Sequence, residues 1–420
     1  KAEKGDFFLS REELTAIRFC AEKYPHFVLV INAGSSIDMG FMEDIEGINA
    51  IVYLCQLGTE GGHAFADILS GDVSPSGKLS DTWAKQYAHI PFASDYSYLN
   101  GNLEDEYYRE GIYVGYRYFE TFGKKAAYSF GHGLSYTDFE ISYGNGAWDG
   151  NTVSISATVK NVGTVPGKEV VQVYVSAPEG KLDKPYQDLA GFAKTAALEP
   201  GAAETVEITF SMKDIASYDE QSAAWILETG NYVIRVGNSS TNTQIAALAV
   251  LEQAVTTLKV KNTCGKPDFT DWKPEREIPS SVDTAIPVLV LNPEAFASEA
   301  VSYDLPHEID ELVKGLSDEQ LACANIGEFS GSMSIIGEAS KLVAGAAGES
   351  TSGAPGIPTL VMADGPAGLR LSQKFYRDEK GAHTVGAGGL PESITEFLPA
   401  PAQWFMKLLG GRDKTPRNAV

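Results

Sequence analysis

The spacing of apolar residues changes character twice along this chain. Up to about residue 140, helix and strand signals alternate. Ser10-Arg11-Glu12-Glu13 forms a capping box, flanked by Leu9 and Leu14 as a hydrophobic staple, and predicts a helix running to about Tyr24. His26–Asn32 and Ile48–Leu54 are apolar runs without alternation. Such runs predict strands buried on both faces, as in a parallel sheet. Gly58-Thr59-Glu60-Gly61-Gly62 then opens a second helix, which Gly71 closes. This is the grammar of an α/β sandwich.

From about Ile141 the period falls to two. Val153, Ile155, Ala157 and Val159 alternate with polar residues, as do Val206, Ile208 and Phe210, then Tyr232, Ile234 and Val236. Turn signals at Asn161-Val162-Gly163 and Pro200-Gly201 separate these runs, which predicts a β-sandwich. Residues 252–305 are weakly patterned, and Pro267, Pro274 and Pro279 predict a surface connector. A third region opens at Ser317, whose capping box with Gln320 is stapled by Leu316 and Leu321. In that region Pro358–Ala363 reads as a buried strand.

Composition narrows the function classes. The 420 residues carry 33 basic and 56 acidic side chains, a net charge of −23. That balance argues against nucleic acid as a partner, because phosphate binding needs clustered Lys and Arg. At 43% hydrophobic and 21% charged, the chain has the profile of a folded multidomain protein. No apolar run reaches membrane-spanning length, so no membrane partner is expected. The four cysteines, Cys20, Cys55, Cys264 and Cys323, lack disulfide-framework or metal spacing, and no metal or cofactor is expected. Unpaired thiols point to a cytoplasmic location.

The sharpest chemical feature is Asp364-Gly365-Pro366-Ala367-Gly368-Leu369-Arg370, directly after the apolar strand 358–363. In barrel enzymes the C-terminal strand ends form the active site. A carboxylate there can accept from two vicinal sugar hydroxyls, and an arginine can present its planar fork of donors. The plainer alternative makes Asp364 a turn cap and Arg370 half of a surface ion pair.

This segment resembles the first-strand motif of glycoside hydrolase family 3, the β-glucosidase family. Gly58–Gly62 through Gly71-Asp72-Val73-Ser74-Pro75-Ser76-Gly77-Lys78-Leu79 is similar to that family's α/β sandwich domain, as is Tyr108-Arg109-Glu110-Gly111 through Tyr118. Phe130-Gly131-His132-Gly133-Leu134-Ser135-Tyr136-Thr137 resembles the exit from that domain, and residues 152–237 resemble its fibronectin type III-like domain. The order resembles the permuted subset of the family, in which these domains precede the barrel. The resemblance implies a multidomain α/β plus all-β protein: residues 1–140 as the C-terminal part of an α/β sandwich, 141–251 as a fibronectin type III-like β-sandwich, 252–305 as connector, and 306–420 as the N-terminal part of a TIM-type (β/α) barrel.

The implied activity is retaining β-glucosidase, with β-xylosidase or arabinofuranosidase, or a silent carbohydrate-binding scaffold, as alternatives. The implied substrate is a β-linked glucoside or oligosaccharide, bound by Asp364 and Arg370. The resemblance places no catalytic residue in this chain: the acid/base Glu is expected just before Lys1 and the nucleophile Asp after Val420. Remaining segments of the same enzyme are expected to complete the barrel and the α/β sandwich, and a homo-oligomer is possible. Phe269-Thr270-Asp271-Trp272 and Asp81-Thr82-Trp83 mimic the nucleophile motif but stand in the wrong context. Glu60 is read as a helix-dipole partner. His63 and His132 are read as structural, and the Tyr107–Tyr118 cluster as a half-buried strand rather than a sugar-site wall.

Overall fold

The computed structural model describes residues 7–96, 101–150, 152–263, 265, 268–273, 286–296, 298–303, 308–326, 340–350, 354–363, 365, 371–372, 375–379, 381–384 and 401. It divides into two compact units, Lys1–Ser302 and Tyr303–Val420.

In the first unit, helix α1 (Arg11–Lys23) starts on the expected capping box. Ser10 N–H donates to Glu13 Oε2 (2.7 Å) and Glu13 N–H donates to Ser10 Oγ (3.2 Å). These bonds hold the Glu13 carboxyl below its usual range. Strands β1 (Val28–Ile31) and β2 (Ala50–Tyr53) pair in parallel. Helix α2 (Gly61–Ser70) ends at Gly71, whose φ of 84° suits the left-handed closing turn. Ile17, Ile31, Ile37, Met39, Phe41, Ile45 and Trp83 form the core of this block. The expectation of strands buried on both faces needs correcting: Val28 and Val30 are 43% and 36% exposed. The cause is sheet size, since β1 and β2 make a two-stranded sheet among the described residues and cover only one face.

The Tyr107–Tyr118 segment is likewise not a strand. After Gly115 (φ 59°) the chain turns into helix α3 (Tyr116–Thr121), which buries Tyr118 and Phe119. Aromatic residues favour strands on average, but local packing decided otherwise here.

The period-two region forms the sandwich. In one sheet β5 (Thr152–Asn161) is central. It pairs with β3 (Phe139–Tyr143) and β4 (Ala147–Trp148), and with β8 (Ala203–Ser211). The facing sheet includes β6 (Val170–Ser176), β7 (Asp188–Lys194), β11 (Gly230–Ser239) and β12 (Asn242–Leu251). Val153, Ile155, Ala157, Val159, Val171, Val173 and Ile234 are fully enclosed between them. A smaller sheet holds β9 (Ser217–Asp219), β10 (Ala224–Leu227) and β13 (Val255–Lys259).

The segment expected to be a plain connector contributes structure. Besides β13, it supplies β14 (Val288–Val290), parallel to β12, and β15 (Glu299–Ala300), parallel to β13. Leu291 and Phe296 are buried in the sandwich core, with Phe296 stacked on Trp148. Its strands are too short to show a period, so the residues carried no pattern.

The second unit contains the short helices α4 (Glu311–Lys314) and α5 (Asp318–Ile326). The second capping box is formed: Ser317 N–H donates to Gln320 Oε1 (2.9 Å) and Gln320 N–H to Ser317 Oγ (3.3 Å). The expected buried strand is reduced to β17 (Val361–Met362), antiparallel to β16 (Gly348–Glu349), and Leu360 beside it is 65% exposed. A barrel strand is enclosed by parallel neighbours, and none pairs with it among the described residues. A hairpin of β18 (Phe375–Asp378) and β19 (Gly381–Thr384) follows.

Candidate functional site

Asp364 and Arg370 both lie outside the described residues. The sequence segment leading to them is described up to Ala363, and Gly365 is described beyond Asp364.

The other carboxylates weighed from sequence are placed, and their segments have structural tasks. Asp271 belongs to a segment that is pinned, not poised: Trp272 N–H donates to Arg109 O (2.7 Å), and the Trp272 ring stacks on Phe122 at 4.1 Å. Trp272 packs there against the Ala84, Tyr113, Tyr118 and Phe119 cluster. Trp83 of the second mimic is core, in contact with Tyr53 and Tyr128. Glu60 occupies the N-cap of α2, where a negative charge suits the helix dipole, and pairs with exposed His63 at 2.6 Å. No group of three or more His, Cys, Asp or Glu side chains among the described residues is arranged to hold a metal ion.

The motifs of the first 140 residues converge instead on the junction with the sandwich. Leu79 N–H donates to His132 O (2.9 Å) and Gly131 N–H to Leu79 O (2.8 Å). Half-buried Lys78 donates to Gly133 O (3.0 Å) and pairs with buried Glu169 at 2.7 Å. A side chain at Gly133 would collide with Gly77 O, which explains that glycine. His132 stacks on Tyr128, and burial, then Lys78, push its pKa down, so it is neutral at neutral pH. Asn161 is wholly buried and satisfied: Nδ2 donates to Val165 O and Leu198 O, and Oδ1 accepts from Thr137 Oγ1 and Gly163 N–H. The Asn161–Gly163 turn signal and Thr137 are thus one device.

Sequence reasoning passed over Glu120, on α3 at this junction. Its Oε2 accepts from Gln187 Nε2 (2.6 Å), which also donates to Ser240 O (2.7 Å). Glu120 Oε1, Gln187 Oε1 and Ser240 Oγ are buried and lack partners among the described residues. Burial raises the Glu120 pKa to about 7. Ser240, Gln187 and Arg235 favour the charged form but do not cancel that cost, and Ser240 Oγ stays outside hydrogen-bonding geometry. A lone acid inside the aromatic run Tyr116–Phe122 was the available signal. Arg117 anchors the same helix by donating to Asp188 (2.5 Å), and Tyr116 Oη accepts from Leu189 N–H (2.9 Å). This cluster couples two domains.

Comparison with known proteins matches residues 2–136 to the glycosyl hydrolase family 3 C-terminal domain and residues 169–240 to a fibronectin type III-like domain. The first 136 residues thus resemble the C-terminal domain of family 3 glycosyl hydrolases. Among similar proteins, a β-glucosidase of Ruminococcus albus is 35% identical over 87% of this chain and 40% of its own length. Beta-glucosidase A of Butyrivibrio fibrisolvens is 39% identical over 58% of this chain and 32% of its own length. An exo-α-(1→6)-L-arabinopyranosidase of Bifidobacterium breve is 35% identical over 57% of this chain. The solved β-glucosidase of Paenibacillus barengoltzii superposes with a TM-score of 0.67 at 30% identity, covering 88% of this chain and 43% of that one. The chain therefore spans about two fifths or less of these β-glucosidases. An 87% match is longer than the unit Lys1–Ser302, so the Ruminococcus similarity reaches into the second unit.

Proposed function

We propose that this chain is part of a retaining β-glucosidase. The observation that carries the reading is the Ruminococcus albus match, which runs through the α/β block and the sandwich into the second unit. The Paenibacillus barengoltzii structure supports it with the same reach. The arabinopyranosidase similarity is confined to a smaller share of the chain, so the β-glucoside reading is preferred over a pentoside one.

In this reading two carboxyl groups roughly 5–5.5 Å apart act as nucleophile and acid/base in a double displacement. Neither is assigned to a residue here, and both are proposed to lie in the stretches of the relatives that this chain does not span. Asp364 accepts from neighbouring hydroxyls of the terminal glucosyl unit, and Arg370 orients it. The mechanism needs no metal or cofactor. Further segments of the same enzyme are proposed to complete the α/β sheet and the barrel.

The test is hydrolysis of aryl β-glucoside against aryl β-xyloside by the full-length enzyme, beside the 420-residue chain. The reading expects the glucoside to be preferred and the chain alone to be silent. Preference for the xyloside, or no glycoside hydrolysis by the full-length enzyme, would overturn it.

A further inference from the structure

The smallest sheet of the sandwich bears an aromatic row that the packing does not use. Tyr218 on β9, Trp225 on β10 and Leu258 on β13 are direct cross-strand neighbours, so their side chains lie on one face. Trp225 is 41% exposed, and the Tyr218 ring leans against it at 5.3 Å and 50°. A shallow, solvent-open depression of about 440 Å³ lies here, lined by Lys213, Asp214, Trp225, Thr257 and Leu258.

The lining is rigid and has polar capacity in reserve. Lys213 and Asp214 ride on the short turn Met212–Ile215, which is capped by Ser211 Oγ and held down by buried Met212 and Ile215. Trp225 is fixed by pairing on both sides and by Thr257 Oγ1, which donates to its carbonyl (3.3 Å). Tyr218 Oη donates to Asn262 Oδ1. The Lys213 ammonium and the Asp214 carboxylate make no ion pair or side-chain hydrogen bond among the described residues, and the indole N–H of Trp225 has no acceptor there. A flat apolar face beside one strong acceptor and one strong donor suits a pyranose ring. Such a ring presents C–H groups on its faces and hydroxyls around its rim. The net charge of −23 disfavours an anionic occupant.

We propose that the Tyr218–Trp225–Leu258 face, with Lys213 and Asp214 at its edge, is a binding platform for a neutral β-linked oligosaccharide. The choice of β-linked glucan rests on the β-glucosidase reading, whereas the platform rests on geometry. It would hold a polymeric substrate on the enzyme without taking part in bond cleavage.

The experiment is native electrophoresis of the full-length enzyme in gels containing soluble mixed-linkage β-glucan, with aryl β-glucoside turnover and melting temperature measured in parallel. The wild type is expected to be retarded, and Trp225→Ala to weaken the apparent affinity at least about tenfold, as loss of a central aromatic anchor does. Aryl glucoside turnover and melting temperature are expected to stay unchanged. Trp225→Phe keeps an aromatic face and should retain much of the retardation. If Trp225→Ala fails to fold, the double variant Lys213→Ala/Asp214→Asn replaces it and should also release the enzyme from the glucan. An active wild type that is not retarded, or variants retarded like wild type, would overturn this proposal alone. A retarded enzyme without β-glucosidase activity would instead refute the proposed function and leave the platform standing.

Discussion

The sandwich and the α/β block are neighbours in one compact unit, yet they close their cores to different degrees. In the sandwich, Val153, Ile155, Ala157 and Val159 have no exposed surface, and both inner faces are covered. In the α/β block the two parallel strands leave Val28 and Val30 open to solvent, and α2 has no buried residue. The difference follows from where each strand's partners lie. Antiparallel strands pair within a few tens of residues, so the sandwich assembles from its own segment. A parallel sheet takes its neighbours through crossovers and is complete only when all of them are present.

This contrast can be broken by mutation. The largest effect is expected inside the sandwich. Ile155→Ala removes a wholly buried side chain between packed sheets and should cost about 2–5 kcal/mol. Chemical denaturation checks it, and a cost comparable to a surface change would mean that the sandwich core is not the rigid part.

An intermediate effect is expected at the junction and depends on pH. The folded-state pKa of Glu120 is raised to about 7, above the ordinary carboxylate value. The native state therefore holds the proton more tightly than the unfolded state. The contribution to stability is present below the ordinary carboxylate pKa and is lost as pH rises through about 7. The loss should be roughly 1–3 kcal/mol, at about 1.4 kcal/mol per pK unit. Glu120→Gln keeps the size without the charge. Relative to wild type it should gain stability between pH 5 and pH 8 in thermal melts, and a pH-independent difference would contradict the buried-carboxyl assignment.

The smallest effect is expected on the open strand. Val30→Ala in this chain should cost less than about 1 kcal/mol, because its side chain is already partly solvated. In a full-length enzyme whose further segments cover that face, the same change should cost visibly more. Equal costs in both settings would argue against the proposed completion of the sheet.

The same contrast explains what the sequence could reveal. Period-two alternation marked β5 and β8 because alternate residues are sorted by burial on opposite faces, whereas β11 is buried on both faces along Tyr232–Ile234. The capping boxes at Ser10 and Ser317 were legible because they are local, each needing only four residues. Strand β14 was not legible. It has three residues, all apolar, so although Leu289 packs on the sandwich core and Val288 and Val290 are exposed, no period could be read from them. Helix α3 was misread because its aromatic residues pack against distant partners such as Trp272 and Tyr174. For the candidate site, the motif around Asp364 and Arg370 was legible as sequence, while both residues lie outside the described structure. The motifs of the first 140 residues, in contrast, proved to be the mortar of a domain junction.

The central claim is that Asp364 binds the sugar and is not merely a turn cap. It is tested most directly by measuring kcat/KM and melting temperature for Asp364→Ala in the full-length enzyme, with Asp364→Asn alongside. Loss of a charge-assisted acceptor costs about 1.5–3 kcal/mol. The account therefore predicts a fall in kcat/KM of at least about tenfold, an intermediate value for the Asn variant, and an unchanged melting temperature. A variant with a lowered melting temperature and normal kinetics would contradict it and return Asp364 to the role of a turn cap.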